Sequence, residues 1–160
     1  MDVRELRNCF GHFATGVTVV TWKKDDRYHG ITVNAFTSVS LDPPLLLVSI
    51  DKKAKACSML EDRPFVVNIL SSDQEKTAWQ FAGKEQEGFE VEWEETDTGP
   101  RLKGALANFE CMPWQRHEAG DHILYLGEIK EFSYGNGEPL MFCRGKFLND
   151  QIRENQRVNQ

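Results

Sequence analysis

The sequence predicts an antiparallel β-barrel with a few flanking helices, and three observations carry that prediction. Short apolar, β-branched stretches recur along the chain at residues 17–22 (VTVVTW), 45–50 (LLLVSI), 65–70 (FVVNIL) and 122–134. Turn residues separate most of them, whereas a doubly wound parallel sheet would place a helix after every strand. The 160 residues fit one domain, and a domain of that size buries a core without disulfide staples.

Asp2 and Glu5 have the spacing of a capping box, and Val3, Leu6 and Phe10 share a helical face, so a helix is expected first, ending near Gly11 or Gly16. Residues 17–22 then read as a strand. Residues 23–28 are charged and turn-like, and residues 29–37 resume an extended pattern, which together make a hairpin. Asp42-Pro43-Pro44 interrupts it, because proline lacks the donor a ladder needs. Residues 45–50 read as a buried strand. Residues 52–61 read as a helix with Ala54, Cys57 and Leu60 on one face, closed by Pro64.

Residues 65–70 are a second buried strand. Ser72 and Glu75 form another capping box, opening a helix through Ala82, with Gly83 suited to the position just past its end. Residues 85–97 are acidic and fit a solvated loop or a short edge strand. Residues 105–111 alternate with period 2, and residues 122–134 make a long strand. Gly135-Asn136-Gly137 signals a hairpin whose partner strand is residues 140–147. The expected domain is residues 1–148, and residues 149–160 form a polar tail.

The net charge of −6, from 19 Lys and Arg against 25 Asp and Glu, argues against nucleic acid as a partner, since phosphate neutralisation needs a basic surface. No apolar run approaches the ~20 residues that a membrane span requires. Residues 1–10 carry Asp2, Arg4, Glu5 and Arg7 and so lack a signal-peptide core; a cytoplasmic protein is expected. Cys9, Cys57, Cys111 and Cys143 are widely spaced and read as reduced, mostly buried thiols. No G-x-S-x-G elbow, zinc-protease motif, Rossmann fingerprint or P-loop is present. Among His12, His29, His117 and His122, only the last two are close in sequence, and five residues apart on one strand would put them on opposite faces; no metal is expected.

Three segments differ from ordinary core. Residues 30–44 (GITVNAFTSVSLDPP) set Thr32, Asn34, Thr37, Ser38 and Ser40 among small and apolar residues. That mixture makes either a Ser/Thr-rich strand and turn or a bed for an aromatic ring system with donors at its edge. Residues 49–55 (SIDKKAK) place three lysines between a strand and a helix start, as a solvated turn or an anion site. Gly120-Asp121-His122 opens the long strand with a histidine that is either structural or set to position a substrate.

The stretches FATGVTVVT (13–21), ITVNAFTSVSLDPPLLLVSI (31–50), FVVNIL (65–70), FAG (81–83), AGDH (119–122) and PLMFCRGKF (139–147) resemble, in order and spacing, the short-chain flavin reductase family. The likeness extends from about Arg4 to Phe147. It is strongest to the small reductase components of two-component flavin-dependent monooxygenases.

That resemblance implies an FMN-binding split barrel, a homodimer with flavin near the subunit interface, and FMN or FAD as cofactor with NADH or NADPH as co-substrate. It implies that Thr32, Asn34, Ala35, Ser38 and Val39 lie along the flavin ring and ribityl chain. Ser49, Ile50, Asp51, Ala54, Lys55 and Ala56 would hold the phosphate, and Phe81, Ala82 and Gly83 would close the other side. Gly120, Asp121 and His122 would meet the nicotinamide, His122 positioning it, with Arg144 and Phe147 lining the same mouth. Phe147 departs from the family pattern, which often has a hydroxylated aromatic there. The expected activity is hydride transfer from nicotinamide to flavin, with a separate oxygenase receiving the product. A flavin-binding module without turnover and a flavin-dependent oxidase on a related barrel are the alternatives. The sequence shows no arginine pair for the 2′-phosphate of NADPH.

Overall fold

The computed structural model describes residues 1–148. The chain opens with helix α1 (Val3–Phe10) and runs through the short strand β1 (Thr15–Gly16) into the hairpin of β2 (Thr18–Lys24) and β3 (Arg27–Val33). A second antiparallel pair follows, β4 (Phe36–Leu41) and β5 (Pro44–Asp51), then helix α2 (Ala56–Met59), strand β6 (Phe65–Ile69) and helix α3 (Glu75–Gln80). The small hairpin of β7 (Trp93–Glu95) and β8 (Pro100–Leu102) leads to the long hairpin of β9 (Ala107–Ala119) and β10 (His122–Tyr134), and the described chain ends with β11 (Met141–Cys143) and β12 (Lys146–Phe147).

Seven strands form one antiparallel sheet in the order β3-β2-β6-β9-β10-β5-β4. The sheet curls so that β2, β5 and β6 surround a single core of Val20, Trp22, Leu46, Val48, Ile50 and Phe65. The two edge strands, β3 and β4, are consecutive in sequence but not paired, so the barrel is split between them. A second core lies outside the barrel, where Val17, Val19, Leu70, Ala78, Leu102 and Leu140 pack beneath α3 and β8. β2 is thus covered on both faces, which is why its apolar pattern is continuous rather than alternating.

The expected elements are mostly present, with corrections. The first turn is only Asp25 and Asp26, both left-handed at φ 55° and 57°, which suits a two-residue hairpin and lets both strands run longer. Residues 29–37 are not one strand; Asn34 and Ala35 break them between β3 and β4. The helix expected at residues 52–61 shrinks to α2, because Lys52 N donates to Asp121 O and Ala54 N to Asp51 O in turns instead.

The Asp2 cap forms, its Oδ1 accepting from Arg4 N and Glu5 N. The Ser72 cap does not: α3 starts at Glu75 with Gln74 at its N-cap, and Ser72 N donates to Glu138 O. Residues 112–119, which the sequence pattern leaves unassigned, are the second half of β9, exposed on both faces and so without an alternating apolar signal.

Residues 135–137 make no hairpin to a strand at 140–147. Leu140 N is held by Leu70 O, and β11 pairs with β1 and β12 in a separate three-stranded sheet. Of the thiols only Cys111 is buried, and burial pushes it up to about 12; Cys9 is exposed, and Cys57 and Cys143 are half-buried. The expected tail, residues 149–160, lies outside the described residues.

Candidate active site

The site is built where the barrel is split. α3 is clamped to the outer edge of β3 by two hydrogen bonds, Thr32 N to Phe81 O (3.1 Å) and Thr32 Oγ1 to Ala78 O (2.6 Å). Gly30 makes this close approach possible. A Cβ there would lie 2.7 Å from Cδ1 of Phe81, so the missing side chain is the seat of the Phe81 ring. Trp93 meets the same ring edge-on at 5.7 Å.

This arrangement leaves a cavity of about 480 Å³ between β3, α2 and the end of α3. Ile31, Ala56, Met59 and Phe81 give it apolar walls, and Ala82 and Gly83 bring exposed backbone to its rim. Lys55 stands at the mouth and makes no ion pair among the described residues. His29 stacks on Trp22 at 5.8 Å and joins the wall.

A second cavity, of about 820 Å³, lies on the other side of the Asn34-Ala35 break. Asn34 and Ala35 line it, together with His122 from β10 and Arg144 and Gly145 from the β11–β12 turn. α1 and the residues after it supply the remaining wall, including Arg7, Phe10, His12 and Phe13. His122 Nδ1 pairs with Asp121 Oδ1 at 2.8 Å, which leaves Nε2 as the free ring nitrogen, and the hydrogen bond and charge of His122 hold the Asp121 carboxyl below the usual range.

The predicted site residues therefore divide. Lys55, Ala56, Phe81, Ala82 and Gly83 share the first cavity; Asn34, Ala35, His122 and Arg144 share the second. The two are linked, since Asp51 pairs with His122 across β5 and β10 and Lys52 N is bonded to Asp121 O. Ser49, Asp51 and His122 face outward from the barrel. Ile50 faces its core and is buried, leaving only its backbone for a ligand. Asp51 spends one carboxylate oxygen on Lys53 N. Ser38 and Val39 lie exposed on the edge strand β4. Ala54 packs against the barrel core, and Gly120 forms the turn ahead of His122 with a left-handed φ of 62°.

Phe147 lines neither cavity; its ring packs against Trp79 and Phe142 over the second core. His117 and His122 lie on different strands. His122 pairs with Ala119, two residues from His117, so the two histidines share a face, contrary to the one-strand expectation. Among the described residues no group of three or more His, Cys, Asp or Glu could hold a metal. His29, Met59, Arg7 and His12 also line the cavities; in the sequence His12 and His29 stand only as widely spaced histidines without metal-ligand spacing, and nothing beside Arg7 or Met59 marks a site.

Fold and site together define a class: an antiparallel split barrel with two apolar-walled, cation-rimmed clefts of nucleotide size at its seam. Residues 10–149 match the family model described as flavin reductase like domain, and the chain belongs to that family. It is 43% identical over 146 residues to an NADH-dependent flavin reductase of a Rhodococcus species, covering 89% of this chain and 83% of that protein. The reductase component of a 4-nitrophenol 4-monooxygenase/4-nitrocatechol 2-monooxygenase from Rhodococcus opacus is 38% identical, over 92% of this chain and 80% of its own length. The solved structure of the flavin reductase PheA2 in its native state superposes with a TM-score of 0.88 at 43% identity, covering 92% of this chain and 97% of that one.

Proposed function

We propose that this protein is an NAD(P)H:flavin oxidoreductase that delivers reduced FMN or FAD to a separate monooxygenase. The observation that carries the reading is the pair of clefts flanking Asn34-Ala35, one with a lysine at its mouth and one with a histidine in its wall. The first cleft fits a flavin: the bare Gly30 seats Phe81 as a flat apolar wall, and the donors at the rim are a free ammonium and open backbone. When bound, flavin supplies the redox chemistry as hydride acceptor for the reduced nicotinamide.

The chain's own residues bind and orient. Lys55 holds the phosphate by charge. Thr32 contributes by locking Phe81 in place, its hydroxyl being donated to Ala78 O. His122, oriented through Asp121, would offer Nε2 to the nicotinamide carboxamide from the wall of the second cleft and so help hold the reduced nicotinamide for hydride transfer. No covalent intermediate with the protein is required.

A homodimer belongs to the same reading. Opposite the buried Leu46, Val48 and Tyr125, the outer face of β5 and β10 carries half-exposed Leu47, Leu124 and Leu126, flanked by exposed Trp114 of β9. Ser49, Asp51 and His122 lie on that face, so covering it places a second protomer beside the site. No helix among the described residues is long and apolar enough to cross a membrane, and we assign the protein to the cytoplasm, where reduced nicotinamides are available.

The test is anaerobic mixing of catalytic amounts of protein with NADH or NADPH and FMN or FAD. Rapid bleaching of the flavin's visible band is expected. Flavin binding without bleaching by either nicotinamide would instead identify a binding module. In the active protein, His122→Ala is expected to raise the NADH KM about tenfold, the loss of one good hydrogen bond, while the flavin Kd stays within twofold.

A further inference from the structure

The second cleft carries more positive charge than positioning a neutral nicotinamide ring needs. Arg7 and Arg144 both line it, and among the described residues no carboxylate does, in a chain whose net charge is −6. Neither arginine has a salt bridge or a side-chain hydrogen bond among the described residues, so two guanidinium forks are free. Thr15, in the same wall, has a buried Oγ1 with no hydrogen-bond partner among the described residues. Two guanidinium groups with no salt bridge at one rim are the chemistry of an anion site, and guanidinium recognises phosphate oxygens in pairs.

The arginines are 137 positions apart in the chain, at 7 and 144, and one residue ties them together. Gly11 N donates to Arg7 O (3.0 Å), and Arg144 N donates to Gly11 O (2.8 Å). The contact is close: a Cβ on Gly11 would sit 3.4 Å from Cα of Arg144 and 3.3 Å from Asn8 O. The left-handed φ of 52° at Arg144 fixes the turn that presents it. The end of α1 and the β11–β12 turn are thereby held at one rim, so both forks are positioned before a ligand arrives.

We propose that Arg7 and Arg144 form the diphosphate-binding part of the nicotinamide-nucleotide site. This rests on the reading that His122 meets the nicotinamide. Phosphate of the flavin is the other source of the same chemistry, but Lys55 serves it in the first cleft. The diphosphate is common to NADH and NADPH, so the pair sets affinity for both coenzymes and does not choose between them. It also gives α1, whose side chains contribute nothing to either core, a role in the site.

The test uses the full-length protein and the variants Arg7→Gln, Arg7→Lys and Arg144→Asn, the asparagine chosen because it tolerates the left-handed backbone. Three readouts apply: NAD⁺ binding by calorimetry, inhibition by inorganic diphosphate against NADH, and flavin Kd by fluorescence. Arg7→Gln and Arg144→Asn are each expected to weaken NAD⁺ binding and to raise the KM for NADH and NADPH alike by about tenfold or more, with competitive inhibition by diphosphate lost. Arg7→Lys recovers part of it, because charge returns without the fork.

Unchanged NAD⁺ binding in both variants, a loss confined to NADPH, or an equal loss of flavin binding would each overturn the proposal. Wild-type protein that does not oxidise NADH in the presence of flavin would overturn the reductase reading instead. Thermal melts identify any variant that fails to fold, and the Arg7 variants, on an exposed helix, then decide the matter.

Discussion

The two halves of the sheet solve the same problem differently. On the β2–β6 side both faces are dry, with the barrel core inside and the second core outside under α3 and β8. On the β10–β5 side only the inner face is buried, and Leu47, Leu124 and Leu126 look outward half-exposed. The covered side also buries polar groups and satisfies them. Asn68 donates to Val19 O and Thr21 Oγ1 and accepts from Leu102 N and Asn108 Nδ2, which stitches β8 to the outer face of the sheet. The difference shows that a sheet face is specified by what covers it. One side is finished within the chain, whereas the other keeps an apolar face half-exposed, the face proposed above as the dimer contact.

The comparison breaks first at its buried polar stitch. Asn68→Leu leaves Leu102 N and Asn108 Nδ2 without their acceptor in a fully buried position. At about 1–3 kcal/mol for each orphaned group, a loss of about 3 kcal/mol or more is expected in urea denaturation. A loss below about 1 kcal/mol would mean that β8 is not held by this network.

Next comes the seat of Phe81. Gly30→Ala forces the ring away from β3 and is expected to cost about 1–3 kcal/mol by overpacking, together with a weaker flavin Kd in fluorescence titration. Wild-type flavin affinity in that variant would separate the first cleft from flavin binding.

On the open side, Leu126→Lys is expected to change unfolding free energy by no more than about 0.5 kcal/mol, since the lysine can carry its charge into water. It is expected to shift the species in sedimentation velocity from dimer to monomer. An unchanged sedimentation coefficient would remove this face from the interface.

The smallest effect is expected at the exposed Lys23–Glu95 pair, 2.9 Å apart at the margin of the covering hairpin. The Lys23 hydrogen bond, then its charge, depress the Glu95 carboxyl. Its contribution is therefore present above the unfolded carboxylate value and fades as pH falls through the lower folded value. Lys23→Ala is expected to flatten the acid limb of the stability curve only slightly, and more so at low salt, as an exposed pair should.

Legibility followed the packing. Residues 17–22 and 65–70 were readable as strands because burial on both faces leaves a nearly unbroken apolar record, and residues 45–50 because the outer face of β5 also carries Leu47. Residues 112–119 were silent because neither face of that stretch is buried. α1 was readable as a helix from its cap, yet Val3 and Phe10 stay exposed, so amphipathic spacing was right about shape and wrong about what it packs against. Within the candidate site, Lys55 and His122 could be named from local context. Arg7 could not, because nothing near it in sequence marks it.

By itself, the sequence determined the antiparallel barrel, the positions of its inner strands and the family, because alternation, turn residues and ordered motifs are local properties of the chain. Only the tertiary structure decided that residues 140–147 fold away from β10 to pair with β1, and that Phe147 packs outside while Arg144 lines the cleft. It alone brought Arg7 and Arg144 to one rim. The β1–β11 pairing and the Arg7–Arg144 rim join segments more than a hundred residues apart, and which partner a strand or a side chain finds there depends on which faces remain uncovered once the barrel has closed.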